Sequence, residues 1–135
     1  MSNAVTSMVK ILVIDDAANF RRLLDLVLHE QGYNMFFADN GRSGLELYRQ
    51  EHPDVIILDL NMPGMDGIAV LTSIRSVDLK QLVIVMTGDT TPEKERQVRA
   101  LGVNEFILKG QSLQCLIDAL KRLLTRNHSD GGLVA

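Results

Sequence analysis

Asp54-Val55-Ile56-Ile57-Leu58-Asp59 is a run of four consecutive apolar side chains closed at each end by a carboxylate. The run is too short for a helix, and it lacks the polar alternation of a strand with one wet face. It therefore predicts a strand covered by helices on both sides, as in a parallel sheet. Val9 to Ile14 and Gln81 to Thr87 repeat the pattern, Tyr33 to Ala38 is a weaker version, and Asn104 to Lys109 completes a set of five.

The stretches between these strands have helical spacing. Phe20, Leu23, Leu24, Val27 and Leu28 share one face of a helix over 19–30 that Gly32 stops. Shorter helices are predicted over 44–50, ending before Pro53, and over 68–76. Thr90 and Glu93 have capping-box spacing around Pro92, which starts a helix that runs to Leu101 and stops at Gly102. Ser112 caps a last helix whose stripe is Leu113, Leu116, Ile117, Leu120, Leu123 and Leu124. Five strands alternating with five helices predict a doubly wound α/β sandwich, with its ligand site beyond the carboxyl ends of the strands.

The chain has 135 residues, 46% of them hydrophobic, enough for one domain with a real core and too few for a second. Residues 1–8 are expected to be a flexible leader, 9–124 the folded domain, and 125–135 a flexible tail or truncated linker with no effector domain after it. The net charge of -3, with Lys and Arg spread along the helices, argues against nucleic acid or an anionic membrane as the main partner. No apolar run approaches the roughly 20 residues that cross a bilayer, and no cleavable leader pattern is present, so the expected location is the cytoplasm. The single Cys115 is read as a buried structural thiol, and His29, His52 and His128 lack metal-site spacing. Met62 and Met65, beside the Pro63-Gly64 turn, are read as packing residues.

The chemistry gathers where strands end. Asp15 and Asp16 close the first strand, Asp59 the third, Thr87 the fourth and Lys109 the fifth. In a parallel sheet all five converge on one edge. Three crowded carboxylates repel one another unless a cation offsets the field, and a hard dication with oxygen ligands does so. Mg2+ suits the set, with Mn2+ a substitute, because it needs few protein carboxylates and also holds phosphate oxygens. Asp59 is the candidate nucleophile for attack on phosphorus. Asp15 and Asp16 hold the metal with it, the Asn61 backbone carbonyl completes the shell, and Lys109 and Thr87 face the phosphoryl oxygens. The first strand runs into Asp-Asp rather than a glycine-rich turn, which disfavours a dinucleotide.

Together, VKILVIDDAANFR, DVIILDLNMPGMDG, VIVMTGD and EFILK resemble the receiver domains of two-component response regulators, including the bacterial chemotaxis receiver, across residues 9 to about 124. The resemblance implies a flavodoxin-like topology with strand order 2-1-3-4-5. It implies Asp59 as phosphoacceptor, Asp15 and Asp16 as the magnesium-supporting pair, Thr87 as switch hydroxyl, Lys109 as the lysine that contacts the phosphoryl group, and Phe106 as switch aromatic. The resemblance also implies Asn61 and Asp89 as residues that modulate the rate of phosphoryl loss. The implied partners are a histidine kinase or histidine phosphotransfer protein, a downstream effector protein or domain, and a homodimer through the 91–101 and 112–124 helices.

Two positions depart from the family pattern. Gly110 stands where proline usually follows the lysine, so a trans bond and a looser aim for Lys109 are expected. Ala17 stands where an acidic residue commonly follows the aspartate pair, which trims the local negative field. Two rival functions are a phosphorylation-independent scaffold that pairs through the last two helices and a small magnesium-dependent phosphatase. The latter lacks a second carboxylate two residues after Asp59, where Asn61 stands.

Overall fold

The computed structural model describes the backbone of residues 9–134 and the side chains of residues 9–125. Five strands, β1 (Lys10–Ile14), β2 (Asn34–Ala38), β3 (Val55–Leu58), β4 (Leu82–Thr87) and β5 (Glu105–Leu108), alternate with five helices. The helices are α1 (Ala18–Glu30), α2 (Gly41–Glu51), α3 (Gly67–Val77), α4 (Pro92–Leu101) and α5 (Leu113–Val134). All strand pairs are parallel, in the order β2-β1-β3-β4-β5. This is the doubly wound, flavodoxin-like sandwich expected from the alternating pattern.

Successive side chains of a strand point to opposite faces, and the core divides accordingly. Ile11, Val13, Val55 and Ile57 face α1 and α5 with Leu24, Leu28, Leu116 and Leu120. Leu12, Ile14, Ile56 and Leu58 face the other helices with Leu45, Val70, Leu71 and Val98. Each such side chain contributes roughly 1.5–3 kcal/mol by leaving water. Glycine permits two of the close approaches: a Cβ at Gly44 would strike Ile14 of β1, and one at Gly67 would fall on the carbonyl oxygen of Asp59 and 2.7 Å from the Leu60 Cα.

The helix ends refine the sequence reading. α2 begins at Gly41 because the Asn40 side chain accepts from Ser43 N–H at 2.9 Å, and its C-cap residue His52 has φ of 49°. α4 is capped by Thr91, not Thr90: Pro92 takes the first helical position, which moves the cap to the residue before it, and Thr91 Oγ1 accepts from Lys94 N–H at 3.2 Å. Ser112 caps α5, accepting from Gln114 N–H at 3.0 Å.

Two further expectations are corrected. The backbone of α5 remains helical through Val134, past the end expected near Leu124. The expected leader, residues 1–8, lies outside the described residues. Cys115 is exposed rather than buried, because Leu116, Ala119, Leu120 and Leu123 form the face of α5 that meets the sheet and Cys115 lies off it. Met62 is buried in the core, whereas Met65 is exposed. Among the described residues no helix is long and apolar enough to cross a membrane.

Candidate functional site at the carboxyl edge of the sheet

The strand register brings the site together. Ile14 pairs with Leu58 across β1 and β3, so Asp15 and Asp59, one residue further on, leave the sheet side by side. Their backbones stay in the ladder: Asp15 N–H donates to Ala38 O and Asp59 N–H to Ile14 O, each at 3.0 Å. Thr87 is the last residue of β4, and Lys109 N–H donates to its carbonyl at 2.8 Å.

Asp15 and Asp59 are buried at 2% and 4% exposure, whereas Asp16 faces solvent. One carboxylate oxygen from each of Asp15, Asp16 and Asp59 lies within 4.8 Å of the others. Two buried carboxylates and one at the mouth, all oxygen donors, fit a hard dication that keeps part of its hydration.

Lys109 closes the inner side. Its Nζ is 2.8 Å from Asp15 Oδ2 and 3.6 Å from Asp59 Oδ2, and it sits over the Phe20 ring, 4.4 Å from the centroid. Burial pushes the Asp15 carboxyl above the ordinary value of 3.8. The hydrogen bonds from Lys109 and Ala17 N–H oppose that rise, and the nearby Asp59 adds to it. The Arg21 guanidinium donates to Asp15 O at 2.7 Å and ties the first turn of α1 to the end of β1. No described peptide bond is cis, in keeping with the expected trans bond at Gly110. Two carboxylates and a ring face surround the Lys109 ammonium.

The wall around Asn61 is a set of hydrogen bonds, some neutral and some to charged groups. The Asn61 side-chain amide donates to Thr87 Oγ1 at 3.0 Å and also to Asp89 O, while Thr87 Oγ1 donates to the same carbonyl at 3.3 Å. Asn61 N–H donates to Asp59 Oδ1 at 3.3 Å, and Lys94 Nζ of α4 donates to Asn61 Oδ1 at 3.4 Å. Thr87 is fully buried. Phe106, on β5, is half-buried against the α4 side of the core, with the Arg99 guanidinium 5.5 Å from its ring centroid.

The structure thus gathers Asp15, Asp16, Asp59, Lys109, Thr87 and Asn61 around one opening, joins Asp89 through its carbonyl, and sets Phe106 one strand away. Sequence reasoning passed over Phe20, Arg21 and Lys94 at this edge. Phe20 counted only as one apolar position of α1, although its place in the first turn of the helix that follows the Asp15-Asp16 pair was a signal that it lies at the site end of that helix.

Fold and site together define a parallel α/β protein with an acidic, lysine-bearing pocket at the ends of its strands. The chain belongs to the response regulator receiver domain family, which matches residues 11–121. It is 35% identical over 115 residues to sporulation initiation phosphotransferase F of Bacillus subtilis, a match covering 85% of this chain and 93% of that one. It is also 35% identical over 120 residues to the regulatory protein AtoC of Escherichia coli, covering 89% of this chain but 26% of that protein. The matching part thus spans about a quarter of AtoC. Among solved structures, the chemotaxis protein CheY4 of Vibrio cholerae superposes with a TM-score of 0.78 at 31% identity, covering 85% of this chain and 98% of that one.

Proposed function

We propose that this receiver accepts a phosphoryl group from a phosphohistidine donor onto Asp59 and so alters the surface it offers to other proteins. The observation that supports this reading most directly is Asp59 itself. It is a buried carboxylate one residue past a central strand, with an ammonium 3.6 Å away and two further carboxylates grouped with it. A carboxylate oxygen of Asp59 attacks phosphorus, the P–N bond to the donor imidazole breaks, and the imidazole leaves with the electron pair and takes up a proton. Asp15, Asp16 and Asp59, with the Asn61 backbone carbonyl, would hold a Mg2+ ion, which supplies positive charge opposite the phosphoryl oxygens. Lys109 supplies a second positive charge from the inner side. Thr87 offers its hydroxyl once it gives up the Asp89 carbonyl. Asn61 and Asp89 flank the path of the water that later hydrolyses the acyl phosphate, so their side chains set its lifetime.

The donor is a histidine kinase or histidine phosphotransfer protein. The responding surface comprises α4, β5 and α5, where the Arg99 guanidinium lies over the Phe106 ring; it would meet an effector or a second copy of the chain. Such chemistry belongs in the cytoplasm, and the proposed receiver unit is residues 9–124. Intact-mass measurement after incubation with acetyl phosphate tests the reading. The expected result is a magnesium-dependent gain of one phosphoryl group that is absent in Asp59→Asn. No gain in the wild type would overturn it.

A further inference from the structure

We infer that Phe20 is a positioning residue for Lys109, holding the ammonium through its ring face. The inference rests on the phosphoacceptor reading of Asp59. An ammonium over an aromatic face is attracted by the ring quadrupole, more strongly where water is partly excluded. At 4.4 Å from the centroid, with the Lys109 side chain 21% exposed, both conditions are met. Phe20 is itself anchored, because it is partly buried against the α1 face of the core.

The support matters because, among the described residues, the ammonium's partners are Asp15, Asp59 and this ring alone. A Cβ placed at Gly110 would meet nothing within 4 Å, so the side-chain direction of this residue faces open space. The main chain here is tied by Lys109 N–H to Thr87 O at 2.8 Å and, across the turn, by Gln111 N–H to Leu108 O and Leu108 N–H to the Gln111 side chain, each at 2.9 Å, bonds that fix the backbone and leave the ammonium to its own partners. The other two partners of the ammonium are carboxylates grouped for a cation and a phosphoryl group. Whatever neutralises Asp15 weakens its hold on Lys109, whereas the uncharged ring keeps its attraction. Phe20 therefore keeps Lys109 directed at the Asp59 oxygens while the charges around it change.

The test combines a spectroscopic signature with a rate, on the full chain. In the wild type the Lys109 Hε protons, assigned through their loss in Lys109→Arg, should be shifted upfield by the ring current. The shift should vanish in Phe20→Leu and Phe20→Met and persist in Phe20→Tyr. Phosphorylation by acetyl phosphate at saturating Mg2+ should slow roughly three- to fivefold in the two non-aromatic variants and return to the wild-type rate in Phe20→Tyr. Wild-type rates in both non-aromatic variants, or a Tyr variant as slow as they are, would overturn this inference and leave the phosphoacceptor reading standing. A wild type that gains no phosphoryl group would overturn that reading and, with it, the role given to Phe20.

Discussion

The Asn61 side-chain amide donates to Thr87 Oγ1 at 3.0 Å, so the Thr87 hydroxyl is bound to a neighbour other than Asp59. To reach a group on Asp59 the hydroxyl must leave that partner and the Asp89 carbonyl. One neutral hydrogen bond of net value about 1 kcal/mol changes the balance between two positions about fivefold. In unphosphorylated Asn61→Ala, the Phe106 ring resonances should therefore move part of the way toward their positions in the acetyl phosphate-treated wild type. Resonances that stay at the wild-type unphosphorylated positions would show that the amide does not restrain Thr87.

Asp16 is the exposed member of the acidic trio, so its removal leaves the core intact. A ligand bound only by the folded state adds about 2.7 kcal/mol at a hundredfold excess over its Kd. Mg2+ should raise the melting temperature of the wild type by several degrees. Asp16→Ala should melt close to the wild type in EDTA and gain much less from Mg2+. An equal gain in both proteins would remove Asp16 from the ligand set.

Gly67 begins α3 where a Cβ would fall on the backbone carbonyl of Asp59. Relief requires a backbone shift, because neither Asp59 O nor the Leu60 Cα can swing aside. Gly67→Ala should lose about 1–3 kcal/mol in urea unfolding. It should also slow phosphorylation, since the displaced backbone carries the candidate acceptor. A variant as stable as the wild type would mean that α3 can retreat from β3 without loss.

Asp78 ties α3 to the chain leading into β4 and to α2. It accepts from the Tyr48 hydroxyl and from the Lys80 and Gln81 N–H groups, each at 3.0 Å. Burial lifts its carboxyl, but these hydrogen bonds and the nearby Arg75 outweigh that effect and hold it below the ordinary value of 3.8. A depressed carboxyl contributes stability that is complete above the unfolded value and lost as pH falls through the folded one. Asp78→Ala should be less stable than the wild type by about 1–2 kcal/mol at pH 7. The gap should narrow only below about pH 4, and a gap unchanged at pH 3 would show that the carboxylate charge plays no part.

The strands and the pocket were legible because one feature encodes both. Apolar runs that need cover on two faces end at Asp15, Asp59, Thr87 or Lys109, and a parallel sheet carries those ends to one edge. What escaped depends on contacts between distant segments. Phe20 fits the α1 stripe whether or not a lysine from the end of β5 lies over it, so periodicity could not reveal the pairing. Cys115 sits in an amphipathic run whose apolar stripe has a boundary, and a small side chain at that boundary gives little sign of its side. The Asn, Ser, Asp and two Gly residues beyond Arg126 have weak helix propensity, yet the α5 backbone continues through them. The choice of Thr91 over Thr90 is local instead: Pro92 takes the first helical position, and that signal was present in the sequence.

The ladder bonds from the Asp15, Asp59 and Lys109 amides give the pocket a property that a loop-built site would lack. Each of these amide protons is shared with a neighbouring strand, so its exchange with solvent requires the strands to part. Local fraying of the loops beyond Asn61 and Thr87 can proceed without releasing them. The backbones of the candidate acceptor and of Lys109 are therefore held by the sheet, while the Asn61 and Thr87 side chains, held by single hydrogen bonds, can exchange partners without parting the strands.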